Sequence, residues 1–128
     1  MAKILGIGGV FFKSPDPKKL AKWYKQYMGL DIDDTFNGST FSVRQAPENA
    51  YSVWGPFKDD TTYFEPSYKD YMINFIVDDV EKLLKQAKLG GAKVHGTANE
   101  EPYGFFGWFS DPDGNKIELW EPSKNKTL

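Results

Sequence analysis

The sequence predicts an α+β fold made of two tandem βαβββ modules. Three observations carry this reading: two apolar helical stripes, an internal repeat that sets one stripe 63 residues after the other, and strand-like segments that flank both stripes in the same order. At 128 residues, with 40% hydrophobic and 16% aromatic content, the chain is one domain long and has enough apolar mass for a single core without staples.

The first element is the apolar run LGIGGVFF, residues 5–12, which leads into KSPDP. It is short and lacks an A-x-A-like cleavage site, so it reads as a strand and not as a signal peptide. Asp16 is then placed to cap a helix whose first turn holds Pro17, where a missing N–H costs nothing. Leu20, Trp23, Tyr24, Tyr27 and Met28 recur at helical spacing until Gly29. DIDDTF, FSVRQ and YSVWGPF alternate as strands and complete a first module over about residues 1–57. A linker over about 58–68 follows. Its Tyr63 and Phe64, with Phe57 just before it, imply that it packs down rather than floats.

The second module covers about 69–122. After a strand around Phe75, Asp78 and Glu81 have capping-box spacing, Val80, Leu83, Leu84 and Ala87 form the stripe, and Gly90-Gly91 ends it. KVHG, GFFGWFS and KIELW are the remaining strands, the last two joined by the hairpin signal DPDGN. The repeat is carried by Phe12 and Phe75, Leu20 and Leu83, Lys22 and Lys85, and Lys25 and Lys88, all 63 apart, and by Trp54 and Trp120, and Pro56 and Pro122, both 66 apart. A polar tail, 123–128, ends the chain.

Sixteen basic residues are interspersed with 18 acidic ones, which leaves no electrostatic footprint for nucleic acid or anionic lipid. There is no cysteine, so disulfide and thiolate chemistry are excluded. No stretch is long enough to span a bilayer, and a cytoplasmic location is the expectation. GIGG at 6–9 hints at a nucleotide loop, but VFFKSPDP follows it instead of a helix, so the phosphate-cradling geometry is missing.

Two βαβββ halves, SPDPKKLAKWYKQYMGLDI after the first strand, VDDVEKLLKQAKLGGAKV after the fifth, and the closing DPDGNKIELWEP resemble the vicinal oxygen chelate superfamily. That superfamily holds glyoxalase I, bleomycin-resistance proteins and extradiol dioxygenases. The resemblance implies a mixed sheet curled around a cavity and, commonly, a homodimer. In the superfamily's metal enzymes, the first and last strands of each half supply His, Glu or Gln to a divalent ion. Those positions fall here on Gly9, Ser52, Met72 and Glu118, of which only Glu118 is a ligand type. A catalytic site needs about three protein ligands, so no metal is expected; Ni, Zn, Mn or Fe would enter only if that reading failed. The single histidine, His95, matches no ligand position and is given a structural role.

Strand parity sorts the cavity residues, since neighbours in a strand face opposite sides. Ile117 and Leu119 form the apolar pair that meets a helix, which sends Glu118 and Trp120 to the other face; the same logic sets Ser52 and Trp54 against Val53, Arg44 against Val43, and Met72 and Asn74 against Ile73. On a curled sheet this second set, with Gly9 and Phe11, lines the concave side. Trp54, Trp120 and Phe106 or Trp108 would offer faces to a planar or hydrophobic ligand, or else close on one another as ordinary core. Arg44, the only arginine, either pairs with Glu118, binds an acidic group of the ligand, or is an exposed sheet residue. Glu118 itself is a candidate general base or a structural carboxylate with a partner.

Two functions follow from these residues. One is a metal-free pocket that binds or sequesters a small organic molecule, by analogy with the bleomycin-resistance branch. The other is a glyoxalase-like lyase or isomerase, or a dioxygenase-type enzyme, that uses Glu118. Glu100 and Glu101, on a loop beside Pro102 and Tyr103, are in reach of folding over the pocket.

Overall fold

The structure, a computed structural model, describes residues 1–5 and 7–123. Gly6 of the GIGG stretch and all of the expected tail except Ser123 lie outside them. Its elements in chain order are α1 (Pro17–Met28), a 3-10 turn (Val43–Gln45), β1 (Ile73–Ile76), α2 (Val80–Leu89), β2 (Lys93–Glu101), β3 (Gly104–Ser110) and β4 (Lys116–Pro122). The strands form one curled mixed sheet in the order β1-β4-β3-β2, with β1 and β4 parallel and the other two pairings antiparallel. Both helices cover one face of it. The class is α+β, as the repeat and the stripes predict. Among the described residues no helix is long and apolar enough to cross a membrane.

Helix α1 begins and ends where its residues dictate. The Asp16 carboxylate accepts from Lys19 N, Pro17 sits in the first turn, and Gly29 closes the helix at φ 72°, a left-handed conformation that suits glycine. Helix α2 starts one residue later than the capping-box spacing indicates. Asp79, not Asp78, is the cap and accepts from Lys82 N, because Val80 is fully buried and its N–H is taken by Glu121 Oε1 at 3.1 Å.

The core lies between the helices and the sheet. Leu20 and Tyr24 of α1 and Val80, Leu84 and Ala87 of α2 pack on Phe109, Ile117 and Leu119. The helices also lock to each other: Trp23 Nε1 donates to Gly90 O at 2.9 Å and Gln86 Nε2 to Tyr27 O at 2.7 Å. Gly107 sets how closely α2 approaches, since a Cβ there would lie 2.8 Å from both Leu84 Cδ1 and Val80 Cγ1. The β3–β4 turn is DPDGN, as expected, and is organised by buried Asp111. Its carboxylate accepts from the backbone N–H groups of Asp113 and Asn115, from Asn115 Nδ2, and from Tyr24 OH at 2.9 Å.

The strands expected of the first half take another form. LGIGGVFF, DIDDTF, FSVRQ and YSVWGPF enter no ladder among the described residues. Asp33 and Gly38 make an isolated bridge and Val43–Gln45 turns into the 3-10 segment. An extended segment becomes a strand only beside a pairing edge, and these segments do not lie along the sheet's edges, β1 and β2.

Two stability predictions follow. Replacing Tyr24 with Phe removes one of four donors to a buried carboxylate, so Tyr24→Phe should lower unfolding stability by about 1–3 kcal/mol in urea denaturation, with an unchanged slope on denaturant. His95 bonds to Ser110 Oγ at 2.7 Å and its pKa lies below the usual 6.5, first because of burial and then because of Lys116 and Lys93. The unfolded chain therefore binds that proton more readily. His95's contribution is present above about pH 6.5 and lost as pH falls through the lowered folded value. Wild type should thus lose more stability than His95→Gln on acidification below that point.

Candidate functional site

Parity on β4 comes out as the apolar pair predicts. Ile117 and Leu119 face the helices, each about 1% exposed, while Glu118 and Trp120 face the opposite, concave side. Register then fixes their neighbours: Glu118 lies opposite Trp108 on β3 and Asn74 on β1, and Trp120 lies opposite Phe106. This settles the orientation of GFFGWFS. Gly107 and Phe109 point to the helices, and Phe106 and Trp108 to the concave side with the candidate ligand-binding residues.

Glu118 is 9% exposed and has both carboxylate oxygens hydrogen-bonded. Oε1 accepts from Asn74 Nδ2 at 2.7 Å, and Oε2 accepts from Trp108 Nε1 at 2.9 Å and from Tyr63 OH at 2.5 Å. Three neutral donors from β1, β3 and the linker thus occupy three of a carboxylate's roughly four lone-pair directions. Of the roles open to Glu118 from sequence, the geometry is that of a carboxylate held by partners. Tyr63 is held in turn. Lys116 Nζ donates to its carbonyl at 2.6 Å and stands 5.1 Å from its ring, and Phe57 stacks on it at 5.7 Å. Burial, then the bond to Glu118, pushes the Tyr63 phenol above its ordinary range.

In front of this cluster lies a cleft of about 380 Å³ lined by Tyr63, Asn99, Glu101, Tyr103, Phe106 and Trp108. Behind Phe106 stands Trp120, its ring stacked at 6.3 Å and its Nε1 donating to Tyr103 O at 2.9 Å. Tyr51 meets the same indole edge-on at 4.8 Å. The cleft is therefore aromatic on its walls, with one carboxylate at its rim, Glu101, and another behind them.

The remaining sequence candidates are distributed differently. Met72 is half-buried just before β1. Arg44 is exposed on the 3-10 turn and is not among the partners of Glu118, which are three uncharged donors. Phe11 and Trp54 are exposed on extended segments. Tyr63 is a residue of the candidate site that the sequence placed only as a packed linker aromatic. Its signal was a run of aromatic residues where a solvated linker would have none.

The donor set at the superfamily's metal positions does not fit a divalent ion. Gly9 offers no side chain, Ser52 is exposed on an extended segment, Met72 brings a thioether, and the Glu118 carboxylate is committed to three donors. Among the described residues no three His, Cys, Asp or Glu side chains gather at metal-binding distance.

Ultraviolet titration of the phenols checks the cluster. The component that disappears in Tyr63→Phe should ionise above the ordinary tyrosine range, and Glu118→Gln should move it down, because the negative charge beside the phenol is then gone.

The chain matches the family model described as glyoxalase-like domain over residues 9–120. No curated protein matches it significantly. Among solved structures, TnmS3, an antibiotic-binding protein from Streptomyces sp. CB03234, aligns over 96% of this chain and 100% of its own, at 25% identity and a TM-score of 0.58. Two others align over smaller parts. One is a glyoxalase/bleomycin resistance protein/dioxygenase superfamily member from Sphaerobacter thermophilus DSM 20745: 31% identity, 42% of this chain, 50% of its own, TM-score 0.36. The other is hypothetical protein SA1046 from S. aureus: 21% identity, 41% and 43%, TM-score 0.38. The chain thus spans about half the length of these two. With the family match covering both halves and a full-length structural counterpart, the chain belongs to the glyoxalase-like domain family of the vicinal oxygen chelate superfamily.

Proposed function

We propose that the protein binds a small organic molecule of planar or hydrophobic character on the concave face of its sheet, without a metal, and acts by holding that molecule. The observation that carries this is the aromatic cleft backed by a carboxylate already tied to three donors. Such a wall offers stacking faces and few polar groups, the composition of small-molecule sites. The full-length likeness to an antibiotic-binding protein supports the same class of action.

The enzymatic reading, a glyoxalase-like lyase or isomerase or a dioxygenase-type reaction through Glu118, has less behind it. A general base needs a lone pair aimed at the substrate proton, and Tyr63, Trp108 and Asn74 stand around this one. Metal activation is not part of the proposal, since the donor set does not fit an ion. Trp108, Phe106 and Tyr63 are assigned to ligand contact, Asn74 and Glu118 to holding the wall in place, and Glu101 to the rim.

The test is a panel of planar aromatic and amphipathic antibiotics titrated into chelator-treated protein, read by tryptophan fluorescence and calorimetry. Binding should survive chelation. Trp108→Ala should weaken it about ten-fold, equivalent to 1.4 kcal/mol, with the far-ultraviolet circular dichroism retained. A panel without a binder, or turnover that appears only on adding metal, would sink the proposal.

A further inference from the structure

The concave face changes in charge along its length. Register places Ser110 of β3 opposite Lys93 on β2 and Lys116 on β4, and Trp108 opposite His95. Residues directly opposite in a ladder share a face, so Lys93, His95, Ser110 and Lys116 stand on the same side as Trp108 and Glu118. Two contacts agree with this. His95 Nε2 and Ser110 Oγ are hydrogen-bonded at 2.7 Å, and the Lys116 ammonium stands 5.1 Å from the ring of Tyr63. At the other end the cleft carries Glu101, which lies opposite Gly104. One end of the aromatic wall is thus basic and the other acidic.

The basic end is not neutralised from within. Among the described residues neither Lys93 nor Lys116 has a carboxylate partner. Lys116 spends one N–H on the Tyr63 carbonyl at 2.6 Å, which leaves two of its three donors, and Lys93 is exposed. Asp111 and Asp113, in the adjoining turn, are bonded to Tyr24 in α1 and to Ser14 just before it. Glu118, on the same face, is bonded to Asn74, Trp108 and Tyr63.

Two ammonium groups beside a hydroxyl make a donor set suited to an oxyanion. Where His95 Nε2 carries the ring proton it donates to Ser110 Oγ, and the hydroxyl hydrogen is left for a guest. The reach also fits, since Ser110 lies two residues from Trp108, about 7 Å along the strand. A flat ring resting on Trp108 therefore sets an attached acidic group beside Ser110, with a lysine on either side.

We propose that Lys93, Lys116 and the Ser110 hydroxyl form an oxyanion subsite at one end of the aromatic cleft, so that the planar molecule held there carries a carboxylate, sulfate or phosphate. This rests on the reading of the cleft as a ligand pocket, and it adds the guest's charge and orientation: its acid lies at the lysines and its uncharged remainder runs toward Glu101.

His95 is the only histidine, so its proton NMR titration reports on the subsite without assignment. An anion held between the lysines favours the imidazolium. Sodium sulfate should therefore raise the His95 pKa more than sodium chloride does at equal ionic strength. The difference should shrink in Lys93→Gln, vanish when Lys116→Gln is added, and persist in Lys93→Arg. By calorimetry, 2-naphthoate should bind about five-fold more tightly than 2-naphthalenemethanol, the worth of one ammonium near contact in water. Lys93→Gln should narrow that ratio and leave the affinity of the alcohol unchanged. Sulfate that acts only as chloride does, or an acid and an alcohol that bind equally, overturns the subsite. A sulfate effect without naphthalene binding upholds the subsite and sinks the cleft reading instead, so the two fail separately.

Discussion

Most of this structure depends on one buried carboxylate, Asp111. Four donors converge on it, two from the backbone of its own turn, one from the Asn115 amide and one from Tyr24, 87 residues earlier. A buried acid without partners would cost several kcal/mol, so the turn and the docking of α1 stabilise each other through it. The turn sets the β3–β4 register, which puts Trp108 opposite Glu118 and Phe106 opposite Trp120. The Tyr24 bond holds α1 over the same strands, so the first half is moored to the second at the point where the concave face is defined.

Glu118, seven residues further on, meets the same problem differently. Asp111 draws most of its donors from within five residues, so it shapes a turn. Glu118 draws its donors from β1, β3 and the linker, so it fastens three separate segments around one face. Both oxygens of this carboxylate are turned to donors that hold the wall of the cleft together. Trp108 and Tyr63 present their polar atoms inward to the carboxylate and their rings outward to the cleft, which is how an aromatic surface is kept in fixed orientation without a polar lining.

What was legible in the sequence were the parts governed by local periodicity. The Leu20-Trp23-Tyr24-Tyr27-Met28 stripe, the caps at Asp16 and Gly29, the DPDGN hairpin and the parity of Ile117 against Glu118 depend on neighbours within a few residues, and each is present. The start of α2 moved to Asp79 because a distant side chain, Glu121, takes the Val80 N–H, a contact no spacing rule contains. Tyr63 was visible only as an aromatic in a linker, since its bond to Glu118 spans 55 residues. Arg44 was read from a strand-like alternation that is a 3-10 turn in the structure. The strands of the first half share that origin: alternation is read from neighbours in sequence, but a ladder needs an edge to pair with, and these segments lie along none of the sheet's edges.

If the cleft holds a small molecule as proposed, Tyr63 bears on which molecules fit. Its ring is a wall of the cleft and its hydroxyl is one of three donors to Glu118, so a molecule that settles deeply enough to push the phenol aside uncovers an acceptor it must satisfy. A guest bearing its own hydroxyl or N–H at that depth restores the bond at little cost. A guest of the same shape without one leaves a buried carboxylate short of a donor, a penalty of about 1–3 kcal/mol or more. Under the proposed binding function, the floor of the cleft would therefore sort otherwise similar flat molecules by whether they carry a proton to share.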